Sequence, residues 1–271
     1  MISGVSGRLR AIAQETVSIV ERGWYEGPDG VVDIARDVAH AVQGTRLHLP
    51  GDVLAEPVAV AGPLAVEVTG ESSLDAARRL AAESGRVACL NFASARNPGG
   101  GFLNGAQAQE ESIARASAIY PSLRAAGDFY AFHRADRGLL YTDRVIWSPA
   151  VPVFRDDRGR FLARPYPVSF LTSAAPNRAM IARDQPGLLP EVPGALRRRA
   201  ERVLRVAAAH GCRELVLGAW GCGVFGNDPA QVAAVFAAAL ADAPWFNRVV
   251  FAILDRRETV RDDFRAAFAM S

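Results

Sequence analysis

Lysine is missing from this 271-residue chain, so all 31 of its basic residues are arginine. That excludes a P-loop lysine, a Schiff-base lysine and a lysine general base. An excess of one charge is missing as well: 31 arginines face 29 acids, too even a balance for binding nucleic acid through bulk charge, and no specific nucleic acid is expected as a partner. Cysteine is scarce. Cys89, Cys212 and Cys222 form no CxxC pair, and His40, His48, His133 and His210 are scattered, so no metal-ligand spacing arises and no metal site is expected. The three thiols read as inert, small core residues, although Cys222 sits in a glycine loop where it could react. No apolar run approaches the roughly 20 residues needed to span a bilayer. The opening "MISGVSGRLRAIAQE" lacks the apolar core of a signal peptide, and the expectation is a cytoplasmic protein with no membrane partner.

Half of the residues are hydrophobic, enough for one large α/β domain. Apolar positions at helical spacing run from Leu9 to Val20, and a Gly/Pro-rich turn follows at Gly27-Pro28-Asp29-Gly30. "LAVEVTG" reads as a strand, "SSLDAARRLAAES" as a helix and "VACLNFAS" as a buried strand, which together make a βαβ unit. "QEESIARASAIY", residues 109–120, reads as one helix. "DRVIWSPAVPVF" and "RPYPVSFLTSAA" read as a hairpin about the turn Asp156-Asp157-Arg158-Gly159. Helices over 193–211 and 228–242 alternate with strands "ELVLGAW" and "RVVFAILD", and a last helix spans about 258–269. Arg197-Arg198-Arg199 reads as the exposed face of its helix. The expected architecture is α/β with a mixed sheet. Residues 1–60 form an accessory extension packed on a core of residues 61–271, together a single structural unit.

Two loops stand out. In "NFASARNPGGGFLNGAQAQEES", residues 91–112, three glycines precede Gln109, Glu110 and Glu111. Three adjacent glycines carry a backbone-entropy cost, so a fold that keeps them needs bare backbone there, with something bulky or charged against it. In "GAWGCGVFGNDP", Gly221, Gly223 and Gly226 match GxGxxG, with Asp228 placed to cap the next helix and Pro229 at its first position. A dinucleotide fold usually puts that turn first, whereas only about 45 residues remain here; Asp255 after the next strand keeps that reading open. Adjacent acids in a first helical turn also have an ordinary explanation in the helix dipole. Two glycine loops outside the carboxyl ends of strands, with two carboxylates, suggest a phosphate-bearing nucleotide whose reacting centre lies near Glu110 and Glu111.

Gly-Gly-Gly, the seven residues "FLNGAQA" and Gln-Glu-Glu resemble the signature of the poly(ADP-ribose) glycohydrolases. The likeness continues in order through "SSLDAARRL", "LNFASARNPGGG", "SAIYPSL", "VIWSPAVPVFRDDRG", "SFLTSAAPN" and "LGAWGCGVFGN", from about residue 65 to 260, and is similar to the bacterial branch of that family. The resemblance implies a macrodomain fold, a mixed β-sheet sandwiched between helices, and makes the GxGxxG match a coincidence of pattern. It implies hydrolysis of ribose–ribose O-glycosidic bonds in poly(ADP-ribose) to release ADP-ribose. Glu111 matches the acid/base of the family, Glu110 the glutamate that holds ribose hydroxyls, and Gln109 positions their turn. Gly99, Gly100 and Gly101 would bring backbone amides to the scissile ribose and its phosphate, with Asn97 on ribose. Gly221, Gly223, Val224, Phe225 and Gly226 match the diphosphate loop, Phe225 packing on the terminal ribose, and adenine is placed at the end of "SFLTSAAPN".

The chemistry agrees with the residues themselves. Glycosidic cleavage needs a proton donor, and the usual glycosidase sets two carboxyls on opposite sides of the bond. Adjacent glutamates on a helix project about 100° apart and cannot straddle one bond, so one acid acting in both steps beside a binding neighbour is the better division. No cofactor is implied; water is the co-substrate. Expected partners are poly(ADP-ribose), ADP-ribose and the ADP-ribosylated proteins that carry the polymer, and the chain is expected to be a monomer. Two other readings stay open: a non-catalytic macrodomain that reads ADP-ribose, and a nicotinamide-dinucleotide enzyme using the GxGxxG loop.

Overall fold

The computed structural model describes residues 2–255 and 258–269. Helix α1 (Ile2–Arg22) leads into a hairpin of β1 (Trp24–Gly27) and β2 (Gly30–Asp33), then α2 (Ala35–Gly44) and β3 (Arg46–His48). Next come β4 (Ala65–Thr69), α3 (Ser73–Ser84) and β5 (Ala88–Phe92), and the helices α4 (Gln109–Ala116), α5 (Ile119–Ala125) and α6 (Gly127–Ala135). The long strands β6 (Val145–Arg155) and β7 (Phe161–Ser173) precede α7 (Arg178–Asp184) and α8 (Val192–Ala209). The chain finishes with β8 (Glu214–Leu217), α9 (Pro229–Ala241), β9 (Arg248–Ala252) and α10 (Thr259–Ala269).

Seven strands form one mixed sheet in the order β3-β6-β7-β5-β8-β9-β4. From β7 to β4 all neighbours are parallel, while β6 is antiparallel to both β7 and β3. Both faces are covered, which is why the central strands read as unbroken apolar runs. Cys89, Phe170, Ile146, Val216 and Val250 pack among residues of α1 to α6, whereas Leu90, Leu171, Leu215, Val249 and Phe251 pack among those of α8, α9 and α10. This is a macrodomain-like mixed sheet between helices. Its strand order and its antiparallel hairpin differ from a doubly wound dinucleotide fold, which removes the nicotinamide reading. Residues 1–60 also enter the sheet, since β3 forms its edge beyond β6.

Two expectations are corrected. The helix expected over 109–120 breaks at Ser117, which is extended and bridges Val153 of β6. Its hydroxyl donates to Ile113 O at 2.7 Å, and Ala118 N donates to Pro152 O, so the sheet captures backbone that helical periodicity assigned to one helix. In the arginine run, Arg197 and Arg198 are exposed but Arg199 is buried. Arg199 donates to Asp143 Oδ1 at 3.1 Å, Ala174 O at 2.6 Å and Leu140 O at 2.9 Å, tying α8 to the end of β7 and the loop before β6. Burial draws its pKa down to about 10, and the neighbouring Asp143 opposes that shift. A guanidinium has donors enough to satisfy buried carbonyls, which a run of like charges does not reveal.

Candidate active site

Strands β5 and β8 pair only through Ala88 and Cys89, then separate toward their carboxyl ends. Gln109, the first residue of α4, serves the backbone this leaves free: its Oε1 accepts from Phe92 N at 2.9 Å and its Nε2 donates to Leu90 O at 2.7 Å. A third bond, Nε2 to Ser73 Oγ at 3.1 Å, reaches the start of α3. The start of α4 is thereby fastened across the mouth of the parted strands.

The two glutamates leave that anchored turn in different directions, as adjacent helical residues must. Glu110, 3 % exposed, reaches back to the end of β5, where Oε2 accepts from Ser94 N at 2.6 Å and Oε1 meets Asn91 Nδ2 at 3.4 Å. Glu111, 8 % exposed, turns onto the glycines: Oε1 accepts from Gly101 N at 2.8 Å and Oε2 from Ala108 N at 3.0 Å. The second bond is the Glu111 half of a capping box, satisfying the N–H of Ala108; alanine has no side chain to supply the other half. Gly100, at φ +60°, lies beneath both acids; a β-carbon there would collide with the Glu111 carboxylate and stand 3.0 Å from Glu110 Oε2. The bulky or charged group expected against the bare backbone is therefore the chain's own pair of carboxylates. Among the described residues neither glutamate forms an ion pair; each is held by hydrogen bonds through both of its oxygens.

Burial pushes the Glu110 carboxyl up to about 8; the amide of Ser94 opposes this and the charge of Glu111 adds to it. Behind Glu110 lies a polar group within the core: Asn91 donates to Thr172 Oγ1 at 3.1 Å, while Asn91 Oδ1 and Tyr130 Oη form no hydrogen bond among the described residues. Helix α1 closes the site from outside. Thr16 Oγ1 donates to Arg115 O at 2.7 Å, and the Ser6 backbone rests against Gly105, just after the glycine turn.

The second glycine loop follows β8. Gly221, at φ +72°, faces Asn227 and Ala175 so closely that a β-carbon would stand 2.5 Å from Asn227 Nδ2. Asn227 itself is buried and donates to Pro176 O at 2.9 Å. Asp228 accepts from Ala230 N at 3.0 Å and caps α9, with Pro229 leading the helix. Between these fixed ends a β-carbon on Gly223 would meet nothing within 4 Å, Val224 is 87 % exposed, and Phe225 is half-buried with its ring 6.2 Å from that of Tyr141.

A cavity of about 400 Å³ opens between the loops, lined by Phe92, Ala108, Gln109, Gly221, Gly223, Val224 and Phe225 among others. A neighbouring cavity of about 390 Å³ shares Phe92, Ala108, Gln109 and Gly223 and extends to Ser72 and Ser73 at the start of α3. The structure thus brings Gln109 together with most of the second loop. Gly100 and Gly101 lie against the carboxylates, and Gly99 is buried beside Phe102. Gly226 turns back on Gly223 O and packs on Ala179. Asn97 is exposed, its carbonyl accepting from Gly100 N at 2.9 Å to close the turn. Asn91, Ser94, Tyr130 and Asn227 escaped the sequence reading. A lone amide within the buried strand "ACLNF" was the signal for Asn91. The Cys222 thiol is pushed up to about 12 by burial, which leaves it protonated.

Residues 13–156 match the family described as microbial-type PARG, catalytic domain, where PARG is poly(ADP-ribose) glycohydrolase. The chain belongs to this family. It is 52% identical to the PARG of Thermomonospora curvata, over 97% of this chain and 100% of that one, with a TM-score of 0.91. The same PARG bound to the inhibitor ADP-HPD matches at 52% identity over 97% and 99% of the two chains, TM-score 0.86. PARG of Deinococcus radiodurans in complex with ADP-ribose matches at 44% identity over 86% and 97%, TM-score 0.80. No curated protein matches the chain. Among the described residues no group of three or more His, Cys, Asp or Glu is arranged to hold a metal, and no helix is long and apolar enough to cross a membrane.

Proposed function

We propose that this chain hydrolyses the ribose–ribose O-glycosidic bonds of poly(ADP-ribose), releasing ADP-ribose, with Glu111 as general acid and base. One observation carries this reading. Two buried carboxylates, neither in an ion pair among the described residues, open a helix that a glutamine pins beside a cleft whose far side is the second glycine loop. A protein that only reads ADP-ribose has no use for a second buried acid.

The terminal ADP-ribose lies in the cleft, its diphosphate on the backbone amides of Gly221, Gly223, Val224 and Phe225 and its distal ribose against the Phe225 ring, while Gly226, whose amide is taken by Gly223 O, closes the loop. Adenine is placed by Ala175, after β7, where the cavity continues. The side chain of Asn97 meets the scissile ribose, whereas the glycine turn acts through the acids it holds: the amides expected to face the substrate are taken up within the chain, Gly99 N by Glu110, Gly100 N by Asn97 O and Gly101 N by Glu111 Oε1. Glu110 holds the ribose hydroxyls. With its carboxyl at about 8 it carries a proton near neutral pH, so one oxygen donates to a hydroxyl while the other accepts. Glu111 protonates the leaving hydroxyl as the glycosidic bond breaks and positive charge develops on the ribose. The carboxylate so formed takes a proton from water attacking the same carbon, and the cycle closes.

Residues 1–60 act as an accessory extension on the core of residues 61–271, and a monomeric, cytoplasmic protein acts on polymer carried by ADP-ribosylated proteins. The deciding experiment measures ADP-ribose release from purified poly(ADP-ribose) by wild type and Glu111→Gln, with ADP-ribose binding followed by calorimetry. Release is expected to fall by about 10²- to 10⁴-fold in the variant while binding is retained. Binding without release by the wild type would make the chain a reader.

A further inference from the structure

The cleft does not end at the first turn of α4. Beyond it a groove of about 540 Å³ runs between α1, the outer face of α4 and the turn joining β6 to β7. Ser72, Ser112, Asp157 and Leu254 border both this groove and the 390 Å³ cavity, so the two are continuous. Leu254, 77 % exposed, lies at their junction.

The charge in the groove is uneven. Of its four arginines, Arg155 is paired with Glu15; of its two aspartates, Asp156 is paired with Arg160. That leaves Arg8, Arg115 and Arg158, none of which forms an ion pair among the described residues, against Asp157, whose carboxyl hydrogen-bonds with that of Asp75. Arg115 is the telling one. It is 7 % exposed and spends its donors on Ala106 O at 2.6 Å and weakly on Ser112 Oγ at 3.4 Å. Burial lowers the pKa of this guanidinium and the charge of Glu111, one turn back, opposes that; it forms no ion pair among the described residues, and an anion in the groove would further offset the cost of burying it. Arg8 and Arg158 are exposed at the rim and joined to each other, Arg8 Nη2 donating to Arg158 O at 3.0 Å.

The groove also lies in the right direction. Ala108, Ser112 and Arg115 form one stripe along α4 at helical spacing, and Glu111 belongs to the same turn as Ser112. From Ala108 to Arg115 is about 10 Å along the helix axis. Glu111 does not itself line the groove, but its turn borders it through Ser112 and Arg115, so a unit departing from Glu111 has the arginines within reach along α4. In a polymer of ADP-ribose that departing group is the next unit, and its nearest negative charge is a diphosphate.

We propose that this groove binds the diphosphate of the neighbouring ADP-ribose unit, on the leaving side of the scissile bond, so that the protein holds two consecutive units of its polymer. The inference rests on the glycohydrolase reading and adds to it a second anion site. Arg115 provides the buried charge of that site, and Arg8 and Arg158 close over it from α1 and the hairpin turn.

The test compares wild type, Arg8→Glu/Arg158→Glu and the milder Arg8→Gln/Arg158→Gln as full chains. Binding of ADP-ribose and of polymer fractions of two and more units is measured in a Glu111→Gln background, and turnover is measured without that substitution. The charge-reversed variant is expected to bind two-unit and longer polymer on the order of tenfold more weakly, with ADP-ribose affinity within about twofold of wild type. The slope of log affinity against log salt is expected to flatten by about 0.7 for each arginine lost. The glutamine variant shows the same trend to a smaller degree. Equal loss for ADP-ribose and polymer, or no loss for either, overturns the groove. So does a single-stranded oligonucleotide of equal phosphate count competing as well as polymer, since the surface would then be a general polyanion site. If the wild type releases no ADP-ribose yet the length-dependent loss of binding persists, the hydrolase reading fails and the groove stands.

Discussion

The two glycine loops look alike in sequence and are built for opposite purposes. In the first, Gly100 is bare because the chain's own carboxylates press on it, and Gly101 offers its amide to Glu111. In the second, the ends are fixed by Gly221 against Asn227 and by Asp228 capping α9, while the space where a side chain of Gly223 would stand is open to 4 Å. One loop spends its glycines on placing acids; the other spends them on leaving room. Absence of a side chain is thus two different signals, and only the neighbours distinguish them.

That contrast can be broken at its strongest point with Gly100→Ala. The added methyl meets Glu111 and Glu110 at a φ of +60°, so a cost of about 1–3 kcal/mol in stability and a loss of about 10²-fold in kcat are expected together. Melting temperature and steady-state release of ADP-ribose report the two effects; an unaltered kcat would show that the acids are not held by this turn. A second prediction concerns Glu110. Its carboxyl, raised to about 8 from an ordinary 4.5, binds its proton more tightly in the folded chain than in the unfolded one. The stability this contributes is present in full below about pH 4.5 and is lost as pH rises through 8. Glu110→Gln keeps a neutral side chain throughout, and its amide can meet the unpartnered Asn91 Oδ1. Melting curves from pH 5 to 9 are therefore expected to show the variant gaining on wild type by up to a few kcal/mol, with little gap at the acidic end. A gap that narrows with pH would contradict the buried, protonated state. The smallest effect is expected at Gly223→Ala: with open space around it, kcat/KM should stay within about twofold and stability within about 0.5 kcal/mol. A large loss there would mean that ligand approaches this backbone as closely as the acids approach Gly100.

The sequence carried the sheet and its hairpin because both are local: alternating strand and helix patterns, and a four-residue turn between long apolar runs. It carried the acids because Gly-Gly-Gly and Gln-Glu-Glu lie ten residues apart. What it hid is long-range. Strand β3 has three residues and is a strand only because β6 is beside it. Ser117 leaves the helix because Val153 and Pro152 draw its backbone away. Arg199 is buried because three acceptors from distant segments converge on it. Asn91 and Tyr130 matter because of what folds behind Glu110, and their spacing from it carries no pattern.

The contacts of α1 with the site have a consequence for the order of assembly. Ser6 meets Asn104 across 98 residues and Thr16 meets Arg115 across 99. Synthesis at 5–20 residues per second separates these partners by roughly 5–20 s, during which α1 has no such partner to dock on. Contacts of such sequence separation also close slowly. The helix that braces the start of α4 is thus made before the turn it serves, and that turn acquires its final contacts only when the helix returns to it.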